Sequence, residues 1–95
     1  MRARATVLVE IACLVFGASP LPPSHRRPAV LSRMAVCDQL LKEGWTETQA
    51  GTAIGIDHST VNRYRARMRD VQALPGYDAE RYLLAQFWAE IPPAV

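Results

Sequence analysis

The stretch TETQAGTAIGIDHSTVNRYR, Thr46 to Arg65, admits few backbone arrangements. Glycine recurs at Gly51 and Gly55, with apolar residues at Ile54, Ile56 and Val61. This grammar predicts a short helix from about Thr48 to Ile54, a turn at Gly55-Ile56, and a second helix from Asp57 to about Ala73. Gly51 falls where the first helix must approach the second closely, so the missing side chain permits contact. Gly55 supplies the turn, Ile54, Ile56 and Val61 lock the pair at a steep angle, and Tyr64 and Met68 continue the inward stripe. Asp57 is read as the N-cap of the second helix: its carboxylate can accept from the amides of Ser59 or Thr60, and its charge suits the helix dipole.

The charges single out the same helix. Between His58 and Arg69 stand Arg63, Arg65, Arg67 and Arg69 without an acid, and between Ser24 and Arg33 stand Arg26, Arg27 and Arg33, again without one. From Asp70 onward the sign reverses, with Asp70, Asp78, Glu80 and Glu90 against Arg81. A formal net charge of +2 therefore conceals a basic face able to attract a polyanion. At 3.6 residues per turn, Arg63 and Arg67 align with Ser59 and Thr60, whereas Arg65 and Arg69 lie about 160° around the helix. Ser59, Thr60, Arg63 and Arg67, and with them His58 and Asn62, are expected to face the major groove of duplex DNA, where hydroxyl, imidazole, amide and guanidinium groups can read base edges. Arg65 and Arg69 are left for phosphates or for acids within the protein.

Ninety-five residues suit one core, and with 49% hydrophobic and 21% charged residues the chain reads as globular. The expected fold is all-α, a compact domain of about five helices: residues 1–74 carrying the helix-turn-helix and residues 75–95 an amphipathic helix packed on it or on a partner. The first helix should run from about Ala5 to Phe16, with Val7, Ile11, Leu14 and Val15 on its inner face. Its basic start and apolar run imitate a secretory signal, but Glu10 interrupts the run, and a retained core helix is expected. It is also shorter than the ~20 apolar residues of a membrane span, so no membrane association is expected. A loop from Ser19 to Pro28, with four prolines, carries His25, Arg26 and Arg27 outward. The second helix should run from about Ala29 to Glu43, with Val30, Met34, Cys37 and Leu41 inward. After Leu74-Pro75-Gly76, Asp78 is expected to cap a last helix bearing Leu83, Leu84, Phe87, Trp88 and Ile91.

Several chemistries lack their residues. Cys13 and Cys37 sit in apolar helical stretches and read as reduced thiols, and no pair among Cys13, His25, Cys37 and His58 has the close spacing of zinc ligands. No metal or other cofactor is expected, and no enzyme. Asp57, His58 and Ser59 are consecutive on a helix, pointing about 100° apart, and cannot form a hydrolase relay.

The run Ala53-Ile54-Gly55-Ile56-Asp57-His58-Ser59-Thr60-Val61 resembles the signature of the carboxy-terminal DNA-binding domain of the bacterial replication initiator DnaA, a Trp-repressor-like helix-turn-helix, which centres on Asp-His-Ser/Thr-Thr-Val. Phe16-Gly17, the basic loop His25-Arg26-Arg27 and Arg33 extend the likeness over roughly Ala5 to Met68. The resemblance implies that His58, Ser59 and Thr60 contact bases and phosphates in the major groove, and that Arg26, Arg27 and Arg33 stand in for loop arginines reaching the adjacent minor groove. A paired glycine of the family is reduced to Gly55, and its arginine before the aspartate is Ile56. The Gly-rich Lys-Ser/Thr phosphate loop of the full initiator is missing, which excludes nucleotide-driven initiation.

The expectation is a sequence-specific double-stranded DNA-binding protein, a cytoplasmic, nucleoid-associated transcriptional regulator of prophage or mobile-element type. Two alternatives stand beside it. One is a non-transcriptional DNA-binding role at an origin or in phage packaging or recombination. The other is a protein-interaction module, with a second copy or another protein covering Leu84, Phe87, Trp88 and Ile91.

Overall fold

Six consecutive residues, Ser32 to Cys37, are buried in the middle of one helix, so that helix must be surrounded by the others. It is the second of five in a computed structural model that describes residues 2–22 and 24–93. Pro23 of the proline loop and the chain ends, residues 1 and 94–95, lie outside the described residues. The helices are α1 (Arg2–Phe16), α2 (Arg27–Lys42), α3 (Glu47–Ile54), α4 (His58–Ala73) and α5 (Asp78–Glu90), with no strand among the described residues. The radius of gyration, 12.1 Å, is that of a compact body, since about 12 Å is expected for a folded chain of this length.

Around α2 the other four helices close a single core containing Leu8, Met34, Leu40, Ile54, Met68 and Phe87. Each such side chain, fully buried, contributes roughly 1.5–3 kcal/mol. α1 lies with its start beside the end of α2, where the Arg4 guanidinium donates twice to the Glu43 carboxylate, at 2.8 Å and 2.8 Å. Those bonds hold the Glu43 carboxyl below its usual range, with a smaller contribution from the Gln39 amide. The inner face of α1 is Ala5, Leu8, Ala12 and Phe16; of the expected Val7, Ile11, Leu14 and Val15, Ile11 and Val15 pack partly buried against the core, whereas Leu14 is 85% exposed. α1 is apolar on nearly every side, so its own period does not fix which stripe turns inward.

α5 is covered within the chain. Leu84 and Phe87 are buried, and the Phe87 ring meets Phe16 with centroids 5.7 Å apart. Neither is available to a partner; Trp88 and Ile91 are partly buried against the same core. Asp78 is not the cap of α5. Tyr77 occupies that position without a side-chain bond, and Asp78, in the first turn, accepts from Arg81. Arg81 also donates to the carbonyls of Val71 (2.9 Å) and Leu74 (2.7 Å), using acceptors that the end of α4 leaves open. No helix is long and apolar enough to cross a membrane among the described residues.

Candidate nucleic-acid interface

The α3–α4 pair is set by local chemistry. Thr46 and Gln49 cap α3 reciprocally: Thr46 Oγ1 accepts from the Gln49 amide (3.1 Å) and Gln49 Oε1 from the Thr46 amide (2.9 Å). The chain leaves α3 through Gly55, at φ +83°, and the Gly51 carbonyl accepts from the amides of both Gly55 (2.8 Å) and Ile56 (2.9 Å). Gly51 is where the turn folds back. A Cβ at that position would lie 2.6 Å from the Ile56 carbonyl oxygen, closer than real contacts allow. Ile54, Val61, Tyr64 and Met68 are buried behind the turn and Ile56 partly so, as the spacing predicted.

Asp57 caps α4, accepting from the Ser59 amide at 3.0 Å and from the Ser59 hydroxyl. These bonds, the hydroxyl's foremost, hold the Asp57 carboxyl below its usual range. His58 stands outside the core, its side chain 63% exposed and its Nδ1 3.6 Å from Asp57 Oδ1. The Ser59 hydroxyl is thus turned to Asp57 and not to the imidazole, so the three residues form a helix cap and not a nucleophilic relay. One turn on, Arg63 lies back along the helix and donates to Thr60 Oγ1 at 3.0 Å.

Glu47 divides the polar residues of α4 into two sets. One of its carboxylate oxygens accepts from both Asn62 (3.0 Å) and Arg65 (3.0 Å), and these bonds, the one from Asn62 first, hold its carboxyl below the usual range. Arg65 thereby meets an acid within the protein, one of the two fates open to it. Asn62, expected among the base readers, instead has its amide tied across to α3. Nothing in the sequence marked Glu47, because its partners lie 15 and 18 residues away.

Arg67 and Arg69 make no hydrogen bond or ion pair among the described residues. Arg67 lies on the wall of a cavity of about 610 Å³ between α2, α4 and α5, together with His25 of the basic loop and Arg27, which opens α2. The rim also carries Asp70 and Glu80, the latter 4.0 Å from Arg27. Arg26 and Arg27 are exposed as expected, but at the start of α2, which opens two residues before the expected Ala29, and not in the loop.

Arg33 is not. Its side chain is buried in α2, with Nε donating to the Pro20 carbonyl (2.8 Å), Nη2 to the Ser24 carbonyl (2.8 Å) and Nη1 to the Tyr64 hydroxyl (3.3 Å). All three guanidinium nitrogens are spent inside the protein, so the expectation that Arg33 reaches DNA is withdrawn.

The structure therefore gathers His58, Ser59, Thr60 and Arg63 at the start of α4, and sets Arg67 on the same cavity wall as the loop residue His25 and Arg27, the first residue of α2. The Cys37 thiol is buried, and desolvation pushes it up to about 12, so it stays protonated at neutral pH. No group of three or more His, Cys, Asp or Glu side chains could hold a metal ion among the described residues. No protein-family model, no curated protein and no solved structure matches the chain.

Proposed function

We propose that the chain is a sequence-specific double-stranded DNA-binding protein, with α3–α4 as a helix-turn-helix and α4 as the helix that enters the major groove. The single observation that carries this reading is the face of α4. It follows a crossing where a Cβ at position 51 would stand 2.6 Å from the Ile56 carbonyl oxygen, exposes Ser59, Arg63 and Arg67 on one side with Thr60 half-buried between them and His58 exposed at the first turn, and carries no acid between the cap and Asp70. A solvated helix face ordinarily mixes signs.

In this reading His58, Thr60 and Arg63 meet base edges, and Ser59 trades its bond to Asp57 for one to a phosphate or base. Arg67, Arg26 and Arg27 neutralise phosphates on either side of the groove. Asn62, held by Glu47, supports the orientation of α4 against α3. Such a module in the cytoplasm would act as a transcriptional regulator, of the kind encoded by prophages and mobile elements.

Titration of labelled duplex at several salt concentrations tests this. Four arginines at phosphates or groove edges predict a slope of log affinity on log salt of about −3 to −4. A duplex that does not bind at low salt, or binds without salt dependence, overturns the proposal.

A further inference from the structure

The geometry points to Arg33 as a positioning residue that fixes the basic loop against α4, so that loop and helix meet a duplex as one rigid surface. Its consequence for DNA rests on the function proposed above; the strut itself does not.

A buried guanidinium whose partners are all uncharged is an expensive choice for a core, and an apolar side chain would fill the space at lower cost. Only arginine, however, presents a planar fork of donors that can reach several acceptors at once. Here the fork spans two segments distant in sequence. Two of its bonds grip the loop on either side of Pro22, at the carbonyls of Pro20 and Ser24. The third reaches Tyr64, which stands in α4 between Arg63 and Arg65. The gripped segment ends directly before His25, Arg26 and Arg27.

The same loop passes near the turn, since a Cβ on Gly55 would meet Pro22 Cγ at 3.6 Å. Held by Arg33, the segment that leads into α2 is ordered before DNA arrives, so that His25, the N-cap Arg26 and the first-turn Arg27 start from one arrangement and the entropy of fixing them is not charged against binding.

The experiment compares the full chain with R33M, which keeps apolar bulk and removes every donor, at matched helicity by circular dichroism. Without DNA, trypsin should cut the Arg26–Arg27 bond of R33M about tenfold faster or more, because cleavage follows the open population of the loop and the lost bonds involve a charged donor. With DNA, R33M should lower the salt slope by about two, as R26A/R27A does, and R33M combined with R26A/R27A should show no further loss. An arginine that served stability alone would leave the slope of the folded protein untouched. Wild-type cleavage in R33M overturns the strut, and faster cleavage with an unchanged slope overturns its role in presenting the arginines. Should R33M not fold, Y64F keeps the ring and loses only the hydroxyl. It should shift cleavage and slope in the same direction, and wild-type behaviour in both overturns the proposal. A wild-type chain that binds no duplex removes the DNA reading, while cleavage still decides the strut.

Discussion

Gly51→Ala sets two effects of known sign against each other. In the interior of α3 alanine gains roughly 0.5–1 kcal/mol over glycine, because glycine loses more backbone freedom on folding. Against this, the new Cβ would stand 2.6 Å from the Ile56 carbonyl oxygen, 3.4 Å from Val61 Cγ2 and 3.5 Å from the Asp57 carbonyl carbon. The first contact is with backbone in a turn closed by two bonds to the Gly51 carbonyl, so relief requires α3 and α4 to move apart. Overpacking of this kind typically costs about 1–3 kcal/mol, and a backbone clash belongs at the upper end. The net expectation is a loss of about 1–2 kcal/mol and a fall in melting temperature of roughly 5–15 °C for a domain of this size. Thermal and denaturant unfolding followed by circular dichroism, with exposed Thr52→Ala as the control on the same helix, give the measurement. A G51A protein as stable as wild type, or more so, would show that helix propensity outweighs the contact and that the crossing is not as tight as described.

Replacing His58 by alanine should change stability by no more than about 0.5 kcal/mol while weakening specific binding by about 1–3 kcal/mol; a large destabilisation with normal binding by the folded fraction would make His58 structural. R26A/R27A should weaken binding to every duplex and lower the salt slope by about two, and an unchanged slope would remove the loop from the interface. The Arg4–Glu43 pair carries a pH signature. Because Arg4 depresses the folded pKa of Glu43, its stabilisation is present above the unfolded carboxylate value, about 4.3, and is lost as pH falls through the folded value. Stability measured from about pH 6 down to pH 3 should therefore fall more steeply in wild type than in R4M, and parallel curves would contradict the pairing.

What was legible in the sequence was what is local. The cap at Asp57, the glycine crossing at Gly51 and the turn at Gly55 each depend on residues within one or two turns, and the side-chain types announce them. The boundaries of α3 and α4 fell within a residue or so of those expected for the same reason. The inner face of α1 was misplaced because an almost wholly apolar helix can be buried on several stripes, and the choice belongs to α2 and α5. The burial of Arg33 is not visible in the sequence, because its partners are two backbone carbonyls and one distant hydroxyl, and no residue type signals a carbonyl turned inward. Asn62 is exposed on α4, but its amide bonds to Glu47, which α3 brings beside it from 15 residues away, and no local pattern announces that bond. Of the candidate interface, the members on one helix face were recoverable from periodicity; their division between outward contact and internal support was not.

Whether α4 reads duplex sequence is decided by selecting bound duplexes from a random-sequence pool with the full chain and with R63A/R67A at matched helicity. The wild-type chain should enrich a recurrent sequence motif, and the double variant, though folded, should enrich none. A wild-type pool without a motif, or the same motif recovered by R63A/R67A, would contradict that role of α4.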